Sequence, residues 1–234
     1  MKQETYQFSD ITSSTFKAAQ KITPIIIDLI GLPESIVDLG GGEGGWLKAF
    51  KNLGTEKVCC IDHPSVDKDN LLIDEDEFIA YDLSNNMPSP IKSDLAISTE
   101  FAEHIPTSSS KDIVKFLTDS SSIILFSAAI PDQHGLNHIN LQRPDFWRNL
   151  FAEKGYEIVD VVRPKIIFDK EIPYWFRQNL YLYVDKNVLN NYEFASEQPF
   201  LPDDFEIIHR EVLNLRIKDS FKSLLLKVKN KLLD

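Results

Sequence analysis

Cysteine is rare in this sequence, and long hydrophobic runs are absent. The two cysteines, Cys59 and Cys60, are adjacent in an apolar run. This is typical of small buried hydrophobic residues in a strand and argues against a redox or metal pair. No apolar segment has the length that spans a bilayer, and the residues Met1 to Thr5 lack the apolar core of a signal peptide. These absences predict a cytoplasmic protein.

Basic residues are also in short supply, since 25 Lys and Arg stand against 36 Asp and Glu, for a net charge of −11. Proteins that bind nucleic acid rely on clustered basic residues to contact phosphates, so the composition argues against a nucleic-acid substrate. The length of 234 residues and the hydrophobic share of 43% fit one globular α/β domain with appendages.

Glycine is scarce too, with nine residues in the chain, yet five of them lie between positions 40 and 45. A β-branched run precedes them and an apolar pattern of helical period follows, which predicts a strand, a glycine loop and a helix. The glycines fit a dinucleotide-type spacing (Gly40, Gly42, Gly45) and equally a G-x-G-x-G spacing (Gly40, Gly42, Gly44). The spacing alone therefore indicates a nucleotide-like ligand and no more.

Asp38 distinguishes between the two spacings. A carboxylate two residues before the first glycine would repel a pyrophosphate, whereas it would hold an ammonium group through a charge-assisted hydrogen bond. S-adenosylmethionine carries such a group and no phosphate. The stretch is similar to the first motif of class I S-adenosylmethionine-dependent methyltransferases, (D/E)-x-G-x-G-x-G. The alternative is that Asp38 caps the next helix or braces the turn.

The resemblance implies a doubly wound, Rossmann-like fold with a mostly parallel seven-stranded sheet and an antiparallel last strand. Apolar runs predict strands that end or lie at 36–37, 57–62, 78–83, 93–98, 122–128, 156–162 and 179–184. Helices are expected at 16–30 and 108–118, and residues 1–13 are expected to form an extended lead-in. Four parallel strands with crossover helices already suffice for a doubly wound architecture.

Acidic residues follow several of these strands. Asp62 ends the second strand, where an acid can accept both ribose hydroxyls, although it could instead open the turn before Pro64. Asp82 ends the third strand and could accept from the adenine amine. The pattern D-x-x-x-S-x-E-x-x-E-H from Asp94 to His104 is similar to the methyltransferase motif that backs the methionine end of the cofactor. The predicted cofactor-binding residues are Asp38, Gly40, Gly42, Gly44, Trp46, Asp62, Asp82, Leu83 and Glu100.

Two later stretches resemble a methyltransferase subfamily found with polysaccharide and sugar-modifying genes. Residues 126–147 are similar to its pattern F-S-A-x-I-P-x-Q-x-G-x-x-H-x-N-E-Q-W-P-x-Y-W, and residues 172–180 to P-W-W-Y-R-Q-N-L. Leu141 and Arg143 depart from the pattern, where the subfamily has Glu and Trp. These departures put in doubt any substrate contact or metal-assisted chemistry inferred from that Glu.

A sugar hydroxyl is a poor nucleophile at neutral pH and benefits from a general base. His138, on the loop after the fifth strand, is the predicted catalytic base, with a backbone-bonded loop histidine as the alternative and His134 ranked second. His104 is expected to be structural or adjacent to the cofactor. The predicted substrate-binding residues are Gln133, His134, Asn140, Gln142, Tyr174, Trp175 and Arg177. No metal is predicted, because one His with Asn and Gln is a poor ligand set.

Residues 187–234 are predicted to be an extension of a methyltransferase domain at 1–186. From Arg210 onward the chain has seven basic and three acidic residues, and residues 216–233 fit a basic amphipathic helix. We expect this helix to dock on the acidic body or on a partner subunit, which would allow a homodimer. The alternative is an anionic membrane surface, at the inner face of the membrane.

The sequence thus predicts an enzyme that uses S-adenosylmethionine to methylate a sugar hydroxyl, on a sugar nucleotide or a glycan precursor. A second interpretation keeps the cofactor but has a small natural product or a lipid-linked acceptor as substrate. A third is a cofactor-binding partner protein without catalysis, which Leu141 and Arg143 keep open. A nicotinamide-linked reductase would explain the glycines but not Asp38, Asp82 or Glu100.

Overall fold

A computed structural model describes residues 8–84, 86–133 and 135–195. Within these ranges seven strands form one sheet. They are β1 (Ser35–Leu39), β2 (Lys57–Asp62), β3 (Phe78–Ala80), β4 (Leu95–Thr99), β5 (Ile123–Ser127), β6 (Tyr156–Val159) and β7 (Tyr181–Asp185). The helices are α1 (Phe8–Ile30), α2 (Gly45–Lys51), α3 (Ser110–Ser120), α4 (Pro144–Ala152), α5 (Arg163–Ile166) and α6 (Tyr174–Asn179).

The strand order is β3-β2-β1-β4-β5-β7-β6. The pairs from β3 through β5 are parallel, whereas β7 runs antiparallel to both β5 and β6. The predicted doubly wound sheet with an antiparallel last strand is therefore confirmed. Parallel strands gather their carboxyl ends at one edge of the sheet. The order in which successive strands are added reverses between β1 and β4, which is where ligands bind in folds of this kind.

Apolar side chains cover both faces of the sheet. On one face, α1 and α2 pack through residues such as Ile22, Leu47 and Phe50. On the other face, α3 and α4 contribute side chains that include Leu117 and Phe151. The central strands are buried on both sides, which explains why they are continuous apolar runs in the sequence. Two layers of helices around one sheet therefore fix the loops at its edge.

Several element bounds differ from the prediction, and two of the differences bear on the site or the start of the chain. Helix α1 begins at Phe8, so the expected extended lead-in is wrong for residues 8–13. Those residues are mostly polar and show no apolar period, although nothing in them opposes a helix. Strand β3 ends at Ala80, so Asp82 and Leu83 lie in the following turn and not in the strand. Cys60 is fully buried in β2 and Cys59 half-buried, as predicted.

The start of the predicted extension packs on the body. Phe194 is buried, and Val188, Leu189 and Tyr192 pack against the core that contains α1 and α2. The aromatic and aliphatic side chains between residues 188 and 194 therefore cover apolar surface of the body. The predicted amphipathic helix at 216–233 lies outside the described residues. Within the described residues, no helix combines the length and the apolar character needed to cross a membrane.

Candidate cofactor and active site

A glycine loop joins β1 to α2 at the carboxyl edge of the sheet. Gly40 has a φ of +77°, and a Cβ there would lie 2.2 Å from the Phe101 ring, so only glycine fits. Gly42 has a φ of +57°, and a Cβ there would meet nothing within 4 Å. The backbone at Gly42 therefore borders open space in which a ligand could approach it closely.

Asp38 lies directly beneath this loop. Its side chain is 0% exposed, and neither carboxylate oxygen has a hydrogen-bond partner among the described residues. A Cβ on Gly41 would lie 2.8 Å from the Asp38 carboxylate. Burial, and secondarily the nearby Asp62, raise the pKa of Asp38 well above its usual value. A buried carboxylate without a partner destabilises the free protein, and a cationic ligand at the loop would relieve that cost.

This arrangement predicts that Asp38→Asn raises the melting temperature of the free protein. A raised pKa in the folded state means that the carboxylate opposes folding once the pH exceeds its unfolded pKa of about 3.9. The penalty grows as the pH rises towards the folded pKa. We expect Asp38→Asn to melt a few degrees higher than the wild type at pH 8, since each kcal/mol of unfolding free energy corresponds to about 2–4 °C at this chain length. The difference in melting temperature should shrink towards pH 5.

Differential scanning calorimetry at pH 5 and pH 8 measures this effect. Asp67→Asn is the matched control, because Asp67 is exposed and caps a short turn. An Asp38→Asn variant that melts at or below the wild-type temperature at pH 8 would show that the buried carboxylate is stabilised after all.

Asp62 at the end of β2 also contacts the loop. Its Oδ2 accepts a hydrogen bond from the Gly42 amide at 2.6 Å, and its Oδ1 accepts one from the His63 amide at 2.6 Å. Burial raises the pKa of Asp62, and these two amides partly oppose the rise. Asp38 and Asp62 thus put one buried and one half-buried carboxyl group beside the glycine loop, and Asp62 already accepts a hydrogen bond from a loop amide.

The remaining predicted cofactor residues differ in their exposure to solvent. Asp82 is exposed, and hydrogen bonds from Ser84 lower its pKa. Leu83 is buried in the core on the α3 side of the sheet. Trp46 packs in the core with its ring edge-to-face against Phe176, at 5.6 Å between centroids. The Trp46 indole is thus a core side chain at the start of α2, next to the glycines.

Glu100 follows β4 and belongs to a polar network that the sequence did not reveal. It has a φ of +50°, an uncommon value for a non-glycine residue. Its Oε2 accepts from the Gln133 side chain at 2.8 Å, and the Gln133 Oε1 accepts from Asn179 at 2.8 Å. Burial raises the pKa of Glu100. The network joins the carboxyl ends of β4 and β5 to the end of α6, which precedes the antiparallel β7.

The loop after β5 presents His138 at this edge. Its Nδ1 lies 2.9 Å from the backbone carbonyl of Gln133. A carbonyl only accepts, so Nδ1 carries the hydrogen and Nε2 keeps its lone pair. A Cβ on Gly135 would lie 2.2 Å from the ring of His138. Gly135 and the Gln133 carbonyl therefore fix the orientation of the imidazole.

Asn140 connects the same loop to the turn after β4. It is 1% exposed, its amide nitrogen donates to the Ala102 carbonyl and to the Ser110 hydroxyl, and its Oδ1 accepts from Thr107 and Gln142. Both the nitrogen and the oxygen of the Asn140 side chain are thus hydrogen-bonded within the protein. The structure thus favours a positioning role for Asn140 over the predicted substrate contact.

The other predicted substrate residues are only partly brought to the edge. Tyr174 and Trp175 begin α6, are half-buried and meet edge-to-face at 5.2 Å between ring centroids. Arg177 is 5% exposed and donates to the carbonyls of Ile172 and Ile167. These hydrogen bonds indicate that Arg177 stabilises the loop that precedes α6. The second candidate base, His134, lies outside the described residues.

The structure also brings together a group that sequence reasoning missed. Glu103 and His104 lie in a short 3₁₀ turn (Ala102–His104) after β4, and the His138 ring is 5.0 Å from the His104 ring between centroids. Ring desolvation and the neighbouring His138 lower the pKa of His104, while burial and the nearby Glu100 raise that of Glu103 well above normal. The only sequence signal was that adjacent parallel strands, β4 and β5, each have a histidine in the loop that follows.

Solved structures share this architecture at low sequence identity. An O-methyltransferase family protein from Burkholderia thailandensis matches with a TM-score of 0.55 and 12% identity over 78% of this chain and 60% of its own. The fold is that of the class I methyltransferases. A chain of the complex between the Haloferax volcanii Trm112 methyltransferase activator and a methyltransferase matches with a TM-score of 0.54 and 12% identity, covering 76% of this chain and 93% of that one.

A third match to the methyltransferase fold was solved with a cofactor product. It is the plantazolicin methyltransferase BpumL in complex with a monoazolic desmethylPZN analogue and SAH, with a TM-score of 0.50, 14% identity and coverage of 75% of this chain and 85% of that one. The present chain spans only 60% of the length of the Burkholderia protein. No protein-family model matches the sequence, and a search of curated proteins also gave no match.

Proposed function

We propose that this protein binds S-adenosylmethionine and directs its methyl group to a hydroxyl of a sugar, on a sugar nucleotide or a glycan precursor. The proposal draws on the class I methyltransferase fold, on the two acids beside the glycine loop and on the motifs that resemble those of sugar-modifying methyltransferases. Methyltransferases of unrelated substrates have the same fold, so the fold supports the reaction class and the motifs support the substrate.

The cofactor assignment rests on the two acids that lie beside the glycine loop. In dinucleotide-binding folds the loop amides and the helix N-terminus hold phosphates. Here the Gly42 amide donates to Asp62, and Asp38 is a buried carboxyl group beneath the same loop. Two acids at this point disfavour a pyrophosphate. They favour a ligand with cationic sulfonium and ammonium groups.

The residues at the strand ends suit the rest of this cofactor. Each oxygen of Asp62 accepts one bond from an amide and retains lone pairs for the ribose hydroxyls. Asp82 is exposed after β3, and among the described residues its Oδ1 accepts from Ser84, which leaves its Oδ2 for the adenine amine. Glu100 would accept from the methionine ammonium group, since Gln133 fixes its other oxygen.

His138 acts as the general base in this proposal. When bound, S-adenosylmethionine supplies a methyl group on a sulfonium sulfur, and the neutral thioether that remains is a good leaving group. His138 keeps the lone pair on Nε2 because Nδ1–H is bonded to the Gln133 carbonyl. Nε2 takes the proton of the acceptor hydroxyl as its oxygen forms the bond to the methyl carbon. The protein otherwise contributes alignment.

Tyr174 and Trp175 support a sugar as the acceptor, because half-buried aromatic rings can stack on the apolar face of a pyranose. A second candidate acceptor has an apolar part, such as a small natural product or a lipid-linked sugar. Two apolar side chains beside His138 favour it, since Leu136 is 68% exposed and Ile139 is 61% exposed.

We also propose that this chain associates with a partner protein or with a second copy of itself. Among the matched structures, a methyltransferase was solved with an activator.

Methyl transfer from labelled S-adenosylmethionine tests the function. We expect the full chain to label one or more sugar nucleotides. His63→Ala is an active control, because His63 is exposed, its ring bonds only Ser65 among the described residues, and alanine keeps the backbone amide that donates to Asp62. Label found in lipid-linked or apolar acceptors alone would favour the second candidate. Cofactor binding with no transfer to any acceptor would instead indicate a non-catalytic partner protein.

A further inference from the structure

Glu103, His104 and His138 form a compact cluster at the mouth of the site. Their ligand atoms, one carboxylate oxygen and two imidazole nitrogens, all lie within 4.8 Å of one another. Within the described ranges this is the only group of three or more His, Cys, Asp or Glu side chains with that geometry. Two imidazoles and one carboxylate are a ligand set that transition metals favour.

The carboxylate of Glu103 points independently to a missing ligand. Glu103 is 0% exposed, and neither of its oxygens makes a hydrogen bond with a described residue. The amides of Glu103 and Ala129 lie nearby without completing hydrogen bonds. A buried carboxylate is costly unless it is paired or coordinates a metal. The carboxyl group of Glu100 also lies close to it and helps to raise its pKa, so two acids meet at this point.

The backbone holds the cluster together without an ion. The Glu103 carbonyl accepts from the amides of Ile139 and Asn140, at 2.8 and 3.0 Å. His138 is thereby kept beside the 3₁₀ turn that carries Glu103 and His104. The Gln133 carbonyl binds Nδ1 of His138, so its Nε2 is the atom left for a metal. A ligating histidine whose other nitrogen donates to a carbonyl is the usual arrangement in metal sites.

We infer that Glu103, His104 and His138 bind one divalent transition-metal ion, with zinc as the best fit. Zinc accepts three protein ligands of these types and leaves a fourth position for water or substrate. At bond lengths of about 2.0–2.1 Å, two atoms on one zinc ion are at most about 4 Å apart. The cluster therefore has to contract slightly, and the exposed His104 can rotate inwards and offers an entry path for the ion.

Along the sequence, His138 is accompanied only by Asn and Gln side chains, which are a poor ligand set for a metal. The fold replaces those partners with a second imidazole and a carboxylate. The ion would occupy Nε2 of His138, the atom that accepts the proton in the proposed function. A bound ion and the general base therefore exclude each other. The metal site itself does not depend on the proposed function, whereas its effect on activity does.

Calorimetric titration of the chelator-treated full chain with Zn²⁺ alone tests the site, with no cofactor or sugar present. We expect one ion per chain in the wild type. Glu103→Gln and His104→Ala should each weaken binding at least about 10-fold, since changes in supporting residues alone cost that much at metal sites. His63→Ala is the matched control and should bind like the wild type.

Two results would overturn the metal site. One is equal zinc affinity in the wild type, Glu103→Gln and His104→Ala. The other is binding that disappears in Cys59→Ser and persists in the cluster variants, since the thiols would then hold the ion. His104→Ala keeps the test decisive if Glu103→Gln fails to fold, because His104 is exposed. In the activity assay, reversible inhibition by Zn²⁺ agrees with both proposals, and stimulation would keep the site but remove His138 as the base.

Discussion

Replacing His138 with alanine is expected to lower kcat by about 10²–10⁴-fold, the range that a general base contributes. Cofactor affinity should change little, because the contacts of the His138 ring are with Gly135, His104 and the Gln133 carbonyl and not with the glycine loop. A loss confined to kcat separates proton removal from binding. Both constants should be measured with the sugar acceptor in the presence of a chelator.

Alanine also removes the packing of the imidazole on Gly135, so a second variant is needed. His138→Asn keeps an N–H that can donate to the Gln133 carbonyl but has no basic lone pair, and it should lose as much activity as alanine. His63→Ala serves as the control for the loss of an imidazole elsewhere. Turnover near the wild-type value in His138→Asn would exclude His138 as the base. A large loss in His134→Ala alone would transfer the role to His134.

Replacing Asp62 with alanine is expected to weaken the binding of S-adenosylmethionine by about 1.5–3 kcal/mol for each charge-assisted hydrogen bond lost. One such bond corresponds to about a 10- to 150-fold rise in Kd. The variant removes the acceptor for ribose hydroxyls and also frees the Gly42 amide, which now donates to Asp62. The lost negative charge acts in the same direction, because the ligand is cationic.

Asp67→Ala is the matched control for that variant. It removes the same charge from an exposed residue in the next loop, so any general electrostatic effect appears in both variants. Calorimetry of wild type, Asp62→Ala and Asp67→Ala gives the three affinities. Equal Kd values for Asp62→Ala and Asp67→Ala would show that Asp62 only braces the turn.

The sheet could be predicted because its central strands are buried on both faces. Such strands are continuous apolar runs, and β2 begins and ends at the predicted residues, Lys57 and Asp62. Helix α6 was not predicted. It has six residues, aromatic and polar in mixture, and is too short to show a helical period. The contact of residues 188–194 with the core also depends on tertiary packing that no local pattern records.

The position of the site could be predicted, but many side-chain roles could not. Acids that end parallel strands must meet at one edge, and β1 and β2 do place Asp38 and Asp62 there. A polar residue in a loop motif, however, can serve a ligand or the backbone equally well. Arg177 and Asn140 serve the protein's own carbonyls and hydroxyls. The sequence pattern is the same in both cases.

The cluster of Glu103, His104 and His138 shows what local patterns leave out. His138 is brought to Glu103 by two backbone hydrogen bonds from its own loop to the Glu103 carbonyl. Backbone contacts of that kind have no residue signature. The same holds for the link of Gln133 with Glu100 and Asn179. Motif matching identified several of the members, and only the fold showed which of them touch.

Calorimetry of the full chain with S-adenosylmethionine and, separately, with NADH tests which ligand binds at the glycine loop. The two acids beside the loop, Asp38 and Asp62, predict one bound S-adenosylmethionine per chain and no heat of binding with NADH. Binding of NADH without binding of S-adenosylmethionine would contradict the account, because a pyrophosphate would then be accepted where two carboxyl groups lie.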